Sequence, residues 1–159
     1  MDYIVLEFIN LFCTGLFAGI EFIVYFGVRA PLAVPDVQPQ IQIRQALIRR
    51  LRVLVPAVFA LTAISGVTVA VLDGSAPGFI FRWAGVLAVL IWTLATFGGT
   101  VPINEAVLTW HGDAPPENWK AVIKQWERLD AIRTCAALTA FAFYLTAVAL
   151  RLAEGPVGH

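Results

Sequence analysis

Residues 83–103, WAGVLAVLIWTLATFGGTVPI, contain no charged side chain. A bilayer core needs about 20 consecutive apolar residues of helix. Backbone groups in lipid must be satisfied within the segment itself, so this run is predicted to be a membrane-spanning helix. Three further stretches qualify on either side of it. Tyr3–Val28 is broken only by Glu7 and Glu21, Val53–Leu72 is uncharged, and Thr134–Leu150 is shorter and also uncharged. The expected fold is all-α, an integral membrane four-helix bundle. Residues 1–159 are read as one domain with spans at about 3–28, 53–72, 83–103 and 134–150.

Composition agrees. Hydrophobic residues make up 59% of the chain and charged residues 14%, with a mean hydropathy of +0.78. Soluble domains lie nearer ~45–50% and ~25%. A disordered tail, a secreted disulfide scaffold and an ordinary soluble globule are all excluded. Net charge is zero, so no basic surplus exists to hold nucleic acid. The first stretch is not read as a cleavable signal peptide. It opens on Asp2 and Glu7 rather than on basic residues, and its apolar part is too long.

The links carry turn formers: Pro31, Pro35, Asp36 and Pro39, then Asp73 to Gly78, then Gly112 to Pro116. Pro116-Glu117 reads as the first turn of the fourth helix. Nine of the eleven basic residues fall on one side. Arg29, Arg44, Arg49, Arg50 and Arg52 belong to the first link, and Lys120, Lys124, Arg128 and Arg133 to the third. Arg82 and Arg151 fall on the other side. This asymmetry predicts a cell-membrane protein with both long links cytoplasmic and both termini outside. Helices 2 and 4 are expected to extend into the cytoplasm. Ile43, Leu47, Leu51 and Leu54 form one helical stripe there, and Val122, Ile123, Trp126, Leu129 and Ile132 another. No internal repeat is detected.

Two cysteines and two histidines bound the chemistry. His111 and His159 do not supply the ligand set of a zinc site or a bis-histidine haem. Cys13 and Cys135 differ in depth by roughly 10 Å at the helical rise, which excludes a disulfide. Both are expected to be reduced fillers of the helical core.

Glu21 is the most informative residue, because a carboxylate at membrane depth is costly and marks a functional site by default. Asn10, Thr14, Phe17, Glu21 and Tyr25 recur every three or four residues and share one helix face. The competing reading is an ion pair that pins the packing. Pro102 ends a Gly98-Gly99 segment and frees a carbonyl; Asn104 beside it serves either that carbonyl or a ligand. Trp119, Trp126 and Arg133 repeat every seven residues, with Asp130 on the same face, and an inward Arg133 is expected to pair with Glu21 or Asp130. Gln42, Gln45, Arg49 and Arg52 form a half-solvated stripe whose arginines reach toward the same pocket. Gly15 and Gly19 permit close helix contact, within the bundle or between protomers of a homo-oligomer. Phosphate loops, nucleophile elbows and dinucleotide fingerprints are absent.

The pattern Val101-Pro102-Ile103-Asn104, then Trp119 and Trp126, then Arg133-Thr134 resembles the anthrone-oxygenase-like family of small four-helix membrane proteins. Ala18-Gly19-Ile20-Glu21, Pro31-Leu32 and Gln45 to Arg50 resemble its bacterial domain-of-unknown-function branch, so the resemblance spans nearly the whole chain. Many relatives carry Asn-His just before a Val-Arg-Thr. Asp130 and Ala131 stand at those positions here, so that histidine is missing: either Asp130 substitutes for it as a base, or the activity differs from that of the oxygenases.

These residues support two functions. The first is an oxidoreductase or oxygenase acting on a lipophilic, aromatic substrate at the cytoplasmic end of the bundle. Glu21, Asp130, Arg133 and Asn104 are the candidate catalytic residues; Tyr25, Trp119, Trp126, Arg49 and Phe17 are the candidate substrate contacts. No cofactor motif is evident. A cofactor-free reaction is one version, and a metal held by Glu21, Glu105 and Asp130 is the other. The second function is a non-catalytic membrane binding module, or an accessory subunit holding a lipophilic ligand. Both readings share the lipid bilayer and a lipophilic small molecule as partners.

Overall fold

The computed structural model describes residues 3–33, 35–74 and 76–153. Asp2, Ser75 of the second link and His159 lie outside the described residues. Four long helices account for almost everything else: α1 (Tyr3–Leu32), α2 (Val37–Leu72), α3 (Phe79–Leu108) and α4 (Trp119–Ala153). All four are long and apolar enough to cross a membrane. No strand occurs among the described residues. Each helix packs against its neighbours in sequence, and α1 also meets α4, which closes a square. One end of this square carries the α1–α2 and α3–α4 links and is called the link end. The other carries the α2–α3 turn, the start of α1 and the end of α4, and is called the hairpin end.

The outer faces are apolar, as contact with a lipid bilayer requires. On α1, Ile4, Phe8, Phe12, Leu16 and Ile23 are exposed at helical spacing. The inner face predicted for α1 is buried from Asn10 through Thr14 and Phe17 to Glu21. Tyr25 departs from it because the helix widens into a π-helical turn at Val24–Val28, where the Arg29 N–H bonds to the Val24 carbonyl. One extra residue per turn rotates the remainder of the helix about its axis. The same device recurs in α3, where the Val101 N–H bonds to the Thr96 carbonyl across Thr96–Thr100. Pro31 and Pro102 come just after these turns, and neither has an N–H for the carbonyl four residues back. The two helices thus share a short pattern, Phe26-Gly27 to Pro31-Leu32 and Phe97-Gly98 to Pro102-Ile103, although no repeat is detected from the sequence.

α3 and α4 make the closest approach. Ala137, Ala140 and Ala147 are buried at their interface. Tyr144 is wedged between Gly66 of α2 and Gly85 of α3; a Cβ on Gly85 would stand 2.8 Å from the Tyr144 ring. Gly15 does meet a neighbour, the Phe141 ring on α4, whereas Gly19 faces open space.

Four local expectations are corrected. Cys135 is exposed rather than a core filler, while Cys13 is buried, and both are free. The buried stripe at the start of α2 runs through Gln40, Ile41 and Arg44; Ile43 and Leu54 are exposed. The stripe is displaced because Arg44 occupies an inward position that an apolar count skips. In the α4 stripe Ile132 is exposed, while Ile123 is buried. Pro116 caps a turn before α4, accepting from the Trp119 N–H at 3.0 Å, so the helix begins after Glu117.

Candidate functional site

A cavity of about 330 Å³ lies toward the link end. Most of its wall comes from α2 and α3, the neighbouring pair that packs least closely. Its exposed lining residues, Arg52 and Pro56 on α2 and Phe97 and Glu105 on α3, belong only to those two helices. The mouth therefore opens sideways, partly through apolar groups. Pro56 also leaves the Arg52 carbonyl without its helical donor at this edge.

The inner wall is aromatic with a charged inset. The Phe59 ring stacks on Trp92 at 4.8 Å, and Phe17 meets Trp92 edge-on at 4.9 Å. Glu21 is 1% exposed and accepts a 2.6 Å hydrogen bond from Arg133 Nη2 to its Oε1. Its Oε2 has no partner among the described residues. The Arg133 guanidinium lies 5.2 Å from the Trp92 ring centre, and its Nε is also unpartnered. Thr134 donates to the Glu21 backbone carbonyl at 3.3 Å, fixing α1 against α4 at this level. Of the two expected partners, Arg133 takes Glu21.

Asn104 lines the cavity and accepts from Trp126 Nε1 at 3.1 Å through its Oδ1. An indole N–H only donates, so the amide is oriented with its NH₂ directed elsewhere, free to donate to a ligand. Asp130 is fully buried and neither oxygen has a hydrogen-bond partner among the described residues, yet it does not line the cavity.

The remaining candidates are placed as follows. Trp126 lines the cavity; Phe17 stands one layer behind Trp92 and Phe59. Tyr25 sits under Arg29, 4.9 Å away, outside the lining. Trp119 packs with Ile103, Val107 and Ile123 below the cavity. Arg49 is exposed and outside the lining, whereas Arg52 and Arg44 reach it. Gln45 ties the start of α2 to the end of α3 by donating to the Val107 and Trp110 carbonyls, both at 2.9 Å. Glu21, Glu105 and Asp130 do not come together: among the described residues, no three His, Cys, Asp or Glu side chains form a group able to hold a metal.

Trp92, Phe59 and Arg44 were not singled out as ligand contacts from the sequence. Trp92 looks like filler in an apolar run, and Arg44 looks like one more link arginine. Its signal is spacing, three residues from Ile41 and four from Ile48.

Four helices of membrane-spanning length thus surround a sideways-opening aromatic cavity with a carboxylate–arginine pair in its wall, an arrangement consistent with an integral membrane protein. The anthrone oxygenase family profile matches residues 45–143. The chain belongs to that family. The match covers α3, most of α2 and the larger part of α4, and it leaves Glu21 and Arg44 outside. No curated protein and no solved structure matches the chain.

Proposed function

We propose that this protein is an oxygenase that takes a lipophilic aromatic substrate, of anthrone type, from the bilayer through the α2–α3 mouth. The observation that carries this reading is the unpartnered Glu21 Oε2 on the wall of the aromatic cavity. An anthrone-type substrate has an acidified CH₂ between two rings, opposite a carbonyl. Glu21 Oε2 accepts a proton from that carbon. The electron pair passes into the ring system as an enolate, whose oxygen is stabilised by the Asn104 NH₂ and the Arg133 guanidinium. Dioxygen takes up the carbanion, forming a C–O bond. Return of a proton gives a hydroperoxide, and loss of water leaves a second carbonyl. In sum CH₂ and O₂ become C=O and H₂O. Glu21 is the base rather than Asp130 because it borders the cavity. The link end is proposed to face the cytoplasm, in keeping with its basic excess.

A second reading, ligand binding without turnover, draws on Ala131 standing at the place of the histidine in the family pattern. Both are tested by adding anthrone to the detergent-purified protein and monitoring oxygen uptake and quinone absorbance. Catalysed uptake is expected in the wild type and its loss in Glu21→Gln, with the thermal melt preserved. Anthrone binding with no uptake above background establishes the second reading. A lowered melt with intact turnover in Glu21→Gln makes the pair structural.

A further inference from the structure

Arg44 is 5% exposed and lines the cavity. Among the described residues its guanidinium makes no hydrogen bond and no ion pair, and its Nε is buried without a partner. The Trp126 ring lies 5.5 Å away, and Glu127, Arg29 and Asp130 are the charged groups close enough to act on Arg44. The other two buried arginines each hold a carboxylate: Arg82 holds Glu7 and Asp73, and Arg133 holds Glu21. The acids around Arg44 do not neutralise it. Glu127 is engaged by Arg29 at 3.2 Å, and Asp130 is in ion-pair contact with nothing. The cavity lining as a whole holds three cations, Arg44, Arg52 and Arg133, against two carboxylates, Glu21 and Glu105. A buried guanidinium left uncompensated is strongly unfavourable, and a bound anion removes that penalty.

We propose that the ligand of this cavity is an aromatic acid, and that Arg44 binds its carboxylate or phenolate. The proposal rests on the cavity being the ligand site and adds the charge of what enters it. Position sets a second requirement. Trp126, under Arg44, and Arg133, at the Glu21 level, are seven residues apart on α4, roughly 10 Å along the axis. The anionic group therefore sits about a fused-ring length from the group that meets Glu21. Leu47, Leu51 and Val55 line the interval on α2 and suit a flat apolar body.

The test compares anthracene-2-carboxylate with neutral anthracene-2-carboxamide on the full-length protein in mild detergent, read by energy transfer from the cavity tryptophans. The wild type is expected to bind the carboxylate at least about tenfold more tightly, the scale of one charge-assisted hydrogen-bonded pair. Arg44→Leu is expected to bind both probes alike, and Arg44→Lys to restore part of the preference. Equal binding of both probes by the wild type, or a preference that survives Arg44→Leu, overturns the proposal and leaves the cavity reading intact. Should Arg44→Leu fail to fold, the wild-type ratio and Arg44→Lys still decide. Absence of binding by either probe overturns the cavity reading and this proposal together. Displacement of the carboxylate by phosphatidylglycerol, and not by phosphatidylcholine, assigns the anion to a lipid phosphate and overturns the aromatic acid.

Discussion

The two ends of the helix assembly both bury arginines and carboxylates, and they use them in opposite ways. At the hairpin end, Arg82 binds Glu7 at 2.6 Å, Asp73 and the Pro77 carbonyl at 2.8 Å. Arg151 lies against the same two acids at 3.3 and 3.5 Å, with its guanidinium 4.0 Å over the Tyr3 ring. Two cations meet two acids, and the cluster joins α1, the α2–α3 turn, α3 and α4. At the link end, one pair is closed, Glu21 with Arg133. A second arginine, Arg44, and a second acid, Asp130, stay unpaired. A cluster in which every charge has an ion-pair partner fixes geometry, even though Arg82 Nε in it lacks a hydrogen-bond partner among the described residues. One with unpaired charges beside a cavity keeps charge available for a ligand.

The largest expected effect is at the hairpin end, where every charge is ion-paired. Arg82→Ala strands Glu7 and Asp73 together, with Arg151 only partly able to hold them. Removing one member of a buried ion cluster costs about 3–5 kcal/mol. The measurement is a thermal melt in detergent. A large drop, or no folded protein, is expected, and ligand binding by any surviving folded fraction stays unchanged. A melt close to wild type would show that the hairpin-end network does not hold the helices together, and the contrast between the ends would collapse.

Arg133→Ala comes next. It strands one acid, Glu21, where Arg82→Ala strands two. The melt is therefore expected to fall by less than in Arg82→Ala, while substrate binding and turnover are lost. A fall in stability equal to that of Arg82→Ala, with binding retained, would make the Glu21–Arg133 pair a structural lock like the one at the other end.

The legibility of the two ends in the sequence also differed, for physical reasons. The helices were legible because four long apolar runs, three of them uncharged, in one short chain leave no soluble alternative. The burial of Glu21 was legible from its spacing with Asn10, Thr14 and Phe17, and Arg133 was legible as a partner for either Glu21 or Asp130 through its place at the start of an apolar span; only the packing chooses Glu21. The hairpin-end cluster was not. Arg82 and Glu7 sit at helix ends, where a charge ordinarily reaches water, and only the packing brings the two 75 positions apart into contact. The π-helical turns were likewise hidden. A proline announces a disturbance, but whether the helix kinks, breaks or widens depends on what packs against it. That widening rotates Tyr25 off the face that Glu21 occupies, which periodicity carried too far had kept together.

The smallest effect sharpens the comparison within the open end itself. Trp126→Phe keeps an aromatic ring near Arg44 and removes the N–H that Asn104 accepts, together with part of the half-buried indole. One neutral hydrogen bond contributes about 1 kcal/mol and the trimmed apolar surface a similar amount, so the melt should move by a few degrees. Asn104, however, is then free to turn either its oxygen or its nitrogen to the cavity. An enolate requires the nitrogen. The expected signature is a fall in kcat with KM little changed, because the donor matters most where negative charge has developed. A rise in KM alone would mean that Trp126 contributes to substrate fit and that Asn104 does not act on the developing charge, leaving the Glu21–Arg133 pair as the sole polar element of the site that acts there.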